Sequence, residues 1–172
     1  RLCYKPIFVF YRLLKDTSTG NVFDVNAMEV YPTKKKTKSF DAEIAAISPT
    51  FILIYNQALT AESQGLDQIC GMGYRKAFEY LLKDYLVQKY PDDKEAIIAE
   101  HRLDKLIRER IDNPRLQTVA SRCAWLGNDQ THYYNKHPEF DVDTIKSLIE
   151  AIMHLILMEK VIDFAETIEP VK

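Results

Sequence analysis

The chain has 172 residues, 47% of them hydrophobic and 28% charged, with a formal net charge of −2. That length supports one domain with a sizeable core, and the composition is ordinary for a globular protein. The near-neutral balance excludes coating of nucleic acid by bulk charge and leaves room only for a local basic patch.

Residues 7–13 are β-branched and aromatic, and 22–31 form a second such run that Pro32 ends. Turn-forming residues from Asp16 to Asn21 separate them, so the two runs predict a β-hairpin. A lone hairpin is marginal in water, so this one is expected to pack on the body or to pair with preceding residues. Lys34, Lys35, Lys36 and Lys38 then form an exposed basic linker. Residues 1–38 thus read as hairpin and linker packed on the body, and 39–172 as a helical bundle, one compact domain overall.

Ser48-Pro49 is a cap followed by a proline at the first helical position, which predicts a helix from about 49 to 63. Gly65 breaks it. A longer helix follows from about Leu66 to Tyr90, with Gly71 and Gly73 near its start as weak points or places of close approach. Pro91-Asp92-Asp93 ends that helix, and the apolar residues from Ile97 to Ile111 mark one helix or two short ones. Asn113-Pro114 repeats the cap-plus-proline start and opens a helix to Leu126, leading into Gly127. Asp141 or Asp143 caps a last helix running to about Glu166, apolar nearly all round in its middle third. A helix of that kind is buried on more than one side, as the centre of a bundle or at a dimer interface.

Cys3, Cys70 and Cys123 are far apart and odd in number, and no CxxC pair exists. Zinc-ribbon spacing and a disulfide framework are both absent, which fits a reducing cytoplasm. No signal peptide is visible, and the longest apolar run, Ala151 to Met158, falls short of the ~20 residues of a membrane span. The start at Arg1, without Met and directly in strand-like sequence, reads as a fragment with something before it.

The segment from Leu126 to His132 concentrates candidate chemistry. If the helix runs on, Asn128 and His132 sit four apart on one face. His132 can move a proton near neutral pH. Arg75 is the candidate cation for a phosphate, and Glu79, one turn later, can pair with Arg75 or orient His132. The same four residues can equally form a polar network that fixes helix register. Tyr133 and Tyr134 can stack on bases, and Lys34, Lys35 and Lys36 can meet phosphates. The alternatives are tyrosines covering helix ends and a solvated lysine cluster. Trp125 reads as core packing, and His154 as a core or interface histidine. No metal and no cofactor are expected, since the histidines lack partners at ligand spacing and no phosphate-binding glycine loop is present.

Three stretches, Ser48 to Ala58, Gly71 to Glu79 and Leu126 to His132, stand in an order that resembles the bacterial domain-of-unknown-function 4145 family over roughly residues 7–165. That family is similar to the HEPN superfamily, so the resemblance implies a mainly α, up-and-down helical bundle with an N-terminal β-hairpin, commonly dimeric. HEPN-like domains occur in toxin–antitoxin, restriction and anti-phage systems, many as metal-independent ribonucleases. Some relatives carry a zinc ribbon upstream, of which Cys3 would be a remnant. The nuclease pattern is an Arg followed after four to six residues by a His, usually with a polar residue directly after the Arg. Here Asn128 and His132 match, but Gly127 holds the arginine position, and the nearest upstream arginine, Arg122, lies ten residues before His132. The expectation is a non-catalytic or weakly catalytic accessory domain that forms a homodimer and contacts RNA or a defence-system partner protein. The alternatives are a metal-independent endoribonuclease using His132 and Asn128, with Arg75 or Arg122 as cation, and a purely structural dimerisation module.

Overall fold

The computed structural model describes residues 8–31, 36–134 and 136–168, with side chains for all of these except 23–31. Cys3, Lys34 and Lys35 lie outside the described residues. The chain divides into two units, residues 1–35 and 36–172.

In the first unit, β1 (Phe8–Lys15) and β2 (Val22–Tyr31) pair antiparallel, from Phe8 opposite Tyr31 to Lys15 opposite Val22. The turn is built by Asp16, whose Oδ1 accepts from the N–H of Ser18 at 2.7 Å and of Thr19 at 3.2 Å. The Ser18 hydroxyl and these two N–H groups hold the Asp16 carboxyl below its usual range. Gly20 closes the turn at φ +72°, a conformation that costs glycine little. All eight β1 residues are exposed.

The second unit is helical, with seven α-helices among the described residues. The caps set their starts. Asp41 caps α1 (Ala42–Ile47) by accepting from the Glu43 N–H. The Ser48 hydroxyl caps α2 (Pro49–Ser63) by accepting from the Phe51 N–H at 3.3 Å, with Pro49 at the first helical position. Ser48 is fully buried, and its hydroxyl also donates to Asp84.

α3 (Asp67–Lys89) is the spine of the unit, burying Tyr74, Phe78, Leu81, Leu82 and Leu86 completely. It packs on α2, α6 and α7. Its contact with α2 is close because Gly73 faces Ala58: a Cβ on Gly73 would stand 2.8 Å from the Ala58 Cβ. Phe40, Phe51, Tyr55 and Tyr74 meet edge to face along this contact, with centroids 4.9–5.6 Å apart.

After a 3₁₀ turn at Pro91–Asp93, the apolar run resolves into two short helices, α4 (Lys94–Ala99) and α5 (Leu103–Arg110). The break has a side-chain cause. Glu100 accepts from the Arg102 N–H at 3.0 Å and from Lys105 Nζ at 2.7 Å, which gives the backbone an alternative to continuing the helix.

Asn113 caps α6 (Pro114–Asp129) and Asp141 caps α7 (Val142–Glu166). On α7 the first half is buried on one side, through Ile145, Ile149, Ile152, Met153 and Ile156. Beyond Ile156 no residue is buried among those described, and Met158, Val161, Ile162 and Phe164 are exposed. The all-round apolar pattern thus combines a core face with an uncovered one.

Candidate functional site

The residues singled out by sequence meet, in part, where α3 crosses α6. A Cβ on Gly127 would stand 2.8 Å from Arg75 Cδ, 3.2 Å from its Cβ and 3.3 Å from its Cγ. The arginine stem therefore lies along the α6 backbone, in room that any larger residue at 127 would fill. Burial pulls the Arg75 guanidinium below its usual range, and the nearby Glu79 carboxylate offsets this in part. Its Nη1 is buried and has no hydrogen-bond partner among the described residues. Burial also pushes the Cys123 thiol up to about 12, with Arg75 pulling the other way, so this neighbour stays neutral. Glu79 does not bridge Arg75 to His132: its Oε1 pairs with Lys83 Nζ at 3.1 Å, one turn further along α3.

The helix does not run on far enough to put Asn128 and His132 on one face. α6 ends at Asp129, because Thr131 folds back on the Asn128 carbonyl, donating from its N–H at 2.9 Å and from its hydroxyl at 2.7 Å. Those bonds satisfy the terminal carbonyl and turn the chain aside. Asn128 stays half-buried in the last helical turn, while His132 lies exposed in the turn beyond. Tyr133 and Tyr134 are exposed rather than spread over the helix ends, and Lys36 is exposed as well. Asp129 is buried, and its Oδ2 has no partner among the described residues.

Two sequence readings need correction. His154 is exposed, which removes the core half of its reading and leaves the interface half. Trp125 is not core packing: it is 46% exposed, with the Arg122 guanidinium 4.1 Å from its ring centroid. It lines a groove of about 430 Å³ between α5 and α6, together with Asp104, Arg108, Thr118, Ser121 and Arg122. The signal was present in the helical phase. Leu116, Ala120, Cys123, Ala124 and Gly127 fill one face of α6, which leaves Thr118, Arg122 and Trp125 on the other.

A further polar cluster ties α7 to α2 and α3. Lys146 Nζ reaches Glu62 at 2.8 Å and Asp143 at 2.5 Å, and the Tyr74 hydroxyl donates to Glu62 at 2.5 Å. Every donor here is matched by an acceptor, so the cluster reads as a clamp between helices. Among the described residues no group of three His, Cys, Asp or Glu is placed to hold a metal ion, and no helix is long and apolar enough to cross a membrane.

The model of the family described as Domain of unknown function (DUF4145) matches residues 56–169, about two thirds of the chain. The chain belongs to that family. The matched span takes in Arg75, Gly127, His132 and Trp125, so both the α3–α6 crossing and the tryptophan groove lie inside the DUF4145 region, and the hairpin lies outside it. No curated protein and no solved structure matches the chain.

Proposed function

We propose that the helical unit is a HEPN-like interaction module of bacterial defence or nucleic-acid metabolism, acting in a reducing cytoplasm. It pairs with a second copy and contacts RNA or a partner protein, without cutting RNA itself. The observation that carries this reading is the placement of Arg75. Metal-independent RNA cleavage needs a proton-transfer group and a cation at one phosphate. Arg75 instead spends its stem on Gly127 and keeps Nη1 buried, while His132 stands exposed past the helix end. Four surface cavities of 140 to 520 Å³ lie on the unit, and neither Arg75 nor His132 lines any of these four.

The pairing surface is the uncovered half of α7, where Met158, Val161 and Ile162 recur at helical spacing. Free, buried Cys70 and Cys123 fit the reducing compartment.

The test is incubation of the purified protein with labelled RNA in EDTA, beside the His132→Ala variant. Intact RNA in both samples is the expected outcome. Cleavage that resists EDTA and disappears in the variant would overturn the reading in favour of an endoribonuclease. Sedimentation velocity checks the pairing: two copies are expected, and Val161→Asp should give a monomer. A parent protein that sediments as a monomer would remove the pairing.

A further inference from the structure

The groove around Trp125 combines three features. The first is an aromatic ring kept at the surface: Trp125 is 46% exposed, and the Arg122 guanidinium, three residues earlier on α6, stacks on it at 4.1 Å. The second is cationic capacity. Arg122 has no carboxylate partner among the described residues, and Arg108 reaches its only one, Asp104, at 3.9 Å with both side chains more than half exposed. An exposed pair at that distance is weak and easily given up to a phosphate oxyanion. The third is a floor that is already fixed. The Gln117 amide donates to the carbonyls of Ile107 at 3.3 Å, Arg108 at 3.3 Å and Ile111 at 3.4 Å, which pins the end of α5 to α6.

Thr118 and Ser121 add hydroxyls along the same wall. The Thr118 hydroxyl donates to the Pro114 carbonyl at 2.8 Å, so its oxygen remains available as an acceptor. A planar heteroaromatic ring with a phosphate attached matches this set. The ring needs a π surface, its edge needs hydroxyl partners, and the phosphate needs a planar cation that can bond it twice. An acidic peptide would bond the arginines but bring no ring to the indole.

We infer that the Arg108–Arg122–Trp125 groove is a nucleotide-binding site, taking a base on Trp125 and its phosphate on the two guanidinium groups. The site rests on reading the unit as a binding module. The shared chemistry is that of a nucleotide, either free or as one unit of a single strand. Arg115, exposed on the same outer face of α6 and seven residues before Arg122, extends the cationic stripe by roughly 10 Å of helix, which suits a strand.

Trp125 is the only tryptophan in the chain, so its fluorescence reports this site alone. The protein is titrated with AMP and, separately, with a mixed-sequence single-stranded RNA. Saturable quenching is expected; quenching by both identifies free nucleotide as a sufficient ligand, and quenching by RNA alone identifies a strand. Anisotropy of the labelled ligand then compares variants whose helicity is verified by circular dichroism. Trp125→Ala should weaken binding roughly 5- to 150-fold, and Trp125→Phe should retain most of it. Arg122→Ala should lower the log–log salt slope for RNA by about 0.7. The inference fails if neither ligand quenches, or if RNA binds Trp125→Ala and the Arg108→Ala/Arg122→Ala double variant as it binds the parent. It also fails if polyglutamate quenches and competes as well as RNA does. RNA binding that persists in Trp125→Ala moves the site elsewhere and leaves the non-cleaving module standing, whereas His132-dependent cleavage removes the module.

Discussion

Gly127→Ala tests the α3–α6 crossing through a change of sign. The new methyl would stand 2.8 Å from Arg75 Cδ and 3.2 Å from its Cβ. The Cδ contact is the tightest, with Cγ at 3.3 Å behind it, so the Arg75 stem must leave the course along α6 that it now follows. Overpacking of this kind costs about 1–3 kcal/mol. Replacing a glycine inside a helix by alanine returns about 1 kcal/mol. The net expectation is a loss of about 1 kcal/mol. In an Arg75→Ala background the crowding atoms beyond Cβ are gone, most of the cost falls away, and the same substitution becomes stabilising by up to about 1 kcal/mol. Urea unfolding followed by far-UV circular dichroism reads the helical unit. With a slope of about 2 kcal/mol/M, the two backgrounds should shift the midpoint by roughly 0.5 M in opposite directions. An equal cost in both backgrounds would refute the claim that Arg75 is what requires glycine at 127.

Three further outcomes follow from the same geometry. Arg75→Met keeps the stem on Gly127 and removes the unpartnered buried Nη1, so urea unfolding should show unchanged or higher stability, by up to about 1 kcal/mol; a clear loss would mean the guanidinium has a partner. Ser48→Ala removes both the α2 cap and the partner of Asp84 from a fully buried position, and should cost about 1–2 kcal/mol in the same assay. Glu62 gives a pH dependence: burial raises its pKa, but Lys146 and the Tyr74 hydroxyl outweigh that and hold it below 4.5. A depressed folded pKa means stability that is complete above the unfolded value and lost as pH falls through the folded one. Melting temperatures between about pH 6 and pH 3 should therefore drop more steeply in the parent than in Glu62→Gln.

Much of the fold was legible because its signals are local. Ser48-Pro49 and Asn113-Pro114 mark helix starts by cap chemistry that needs no tertiary partner, and α2 and α6 begin there. The break between α4 and α5 stayed open in the sequence, because it depends on Glu100 reaching both Arg102 and Lys105. Whether α6 ran on to His132 stayed open for a similar reason. Apolar periodicity says nothing about Thr131 turning back on the Asn128 carbonyl, and that one turn keeps His132 off the helical face it would otherwise have shared.

The site was half legible. Arg75 and Gly127 were both singled out, but as a cation for catalysis and as a missing arginine. Their contact gives Gly127 a positive reason to be glycine. An arginine at 127 would have to occupy volume that the Arg75 stem already fills from the opposite helix. The glycine is therefore a packing solution, in which the cation at this crossing comes from α3 and keeps its Nη1 buried. Trp125 shows the converse error: a tryptophan is assumed to be core because of its size, yet the phase of Leu116, Ala120, Cys123 and Gly127 already consigns it to the outer face. Arg122 stacks on that ring and has no carboxylate partner among the described residues, so its charge stays available to a phosphate while the indole stays at the surface beside it.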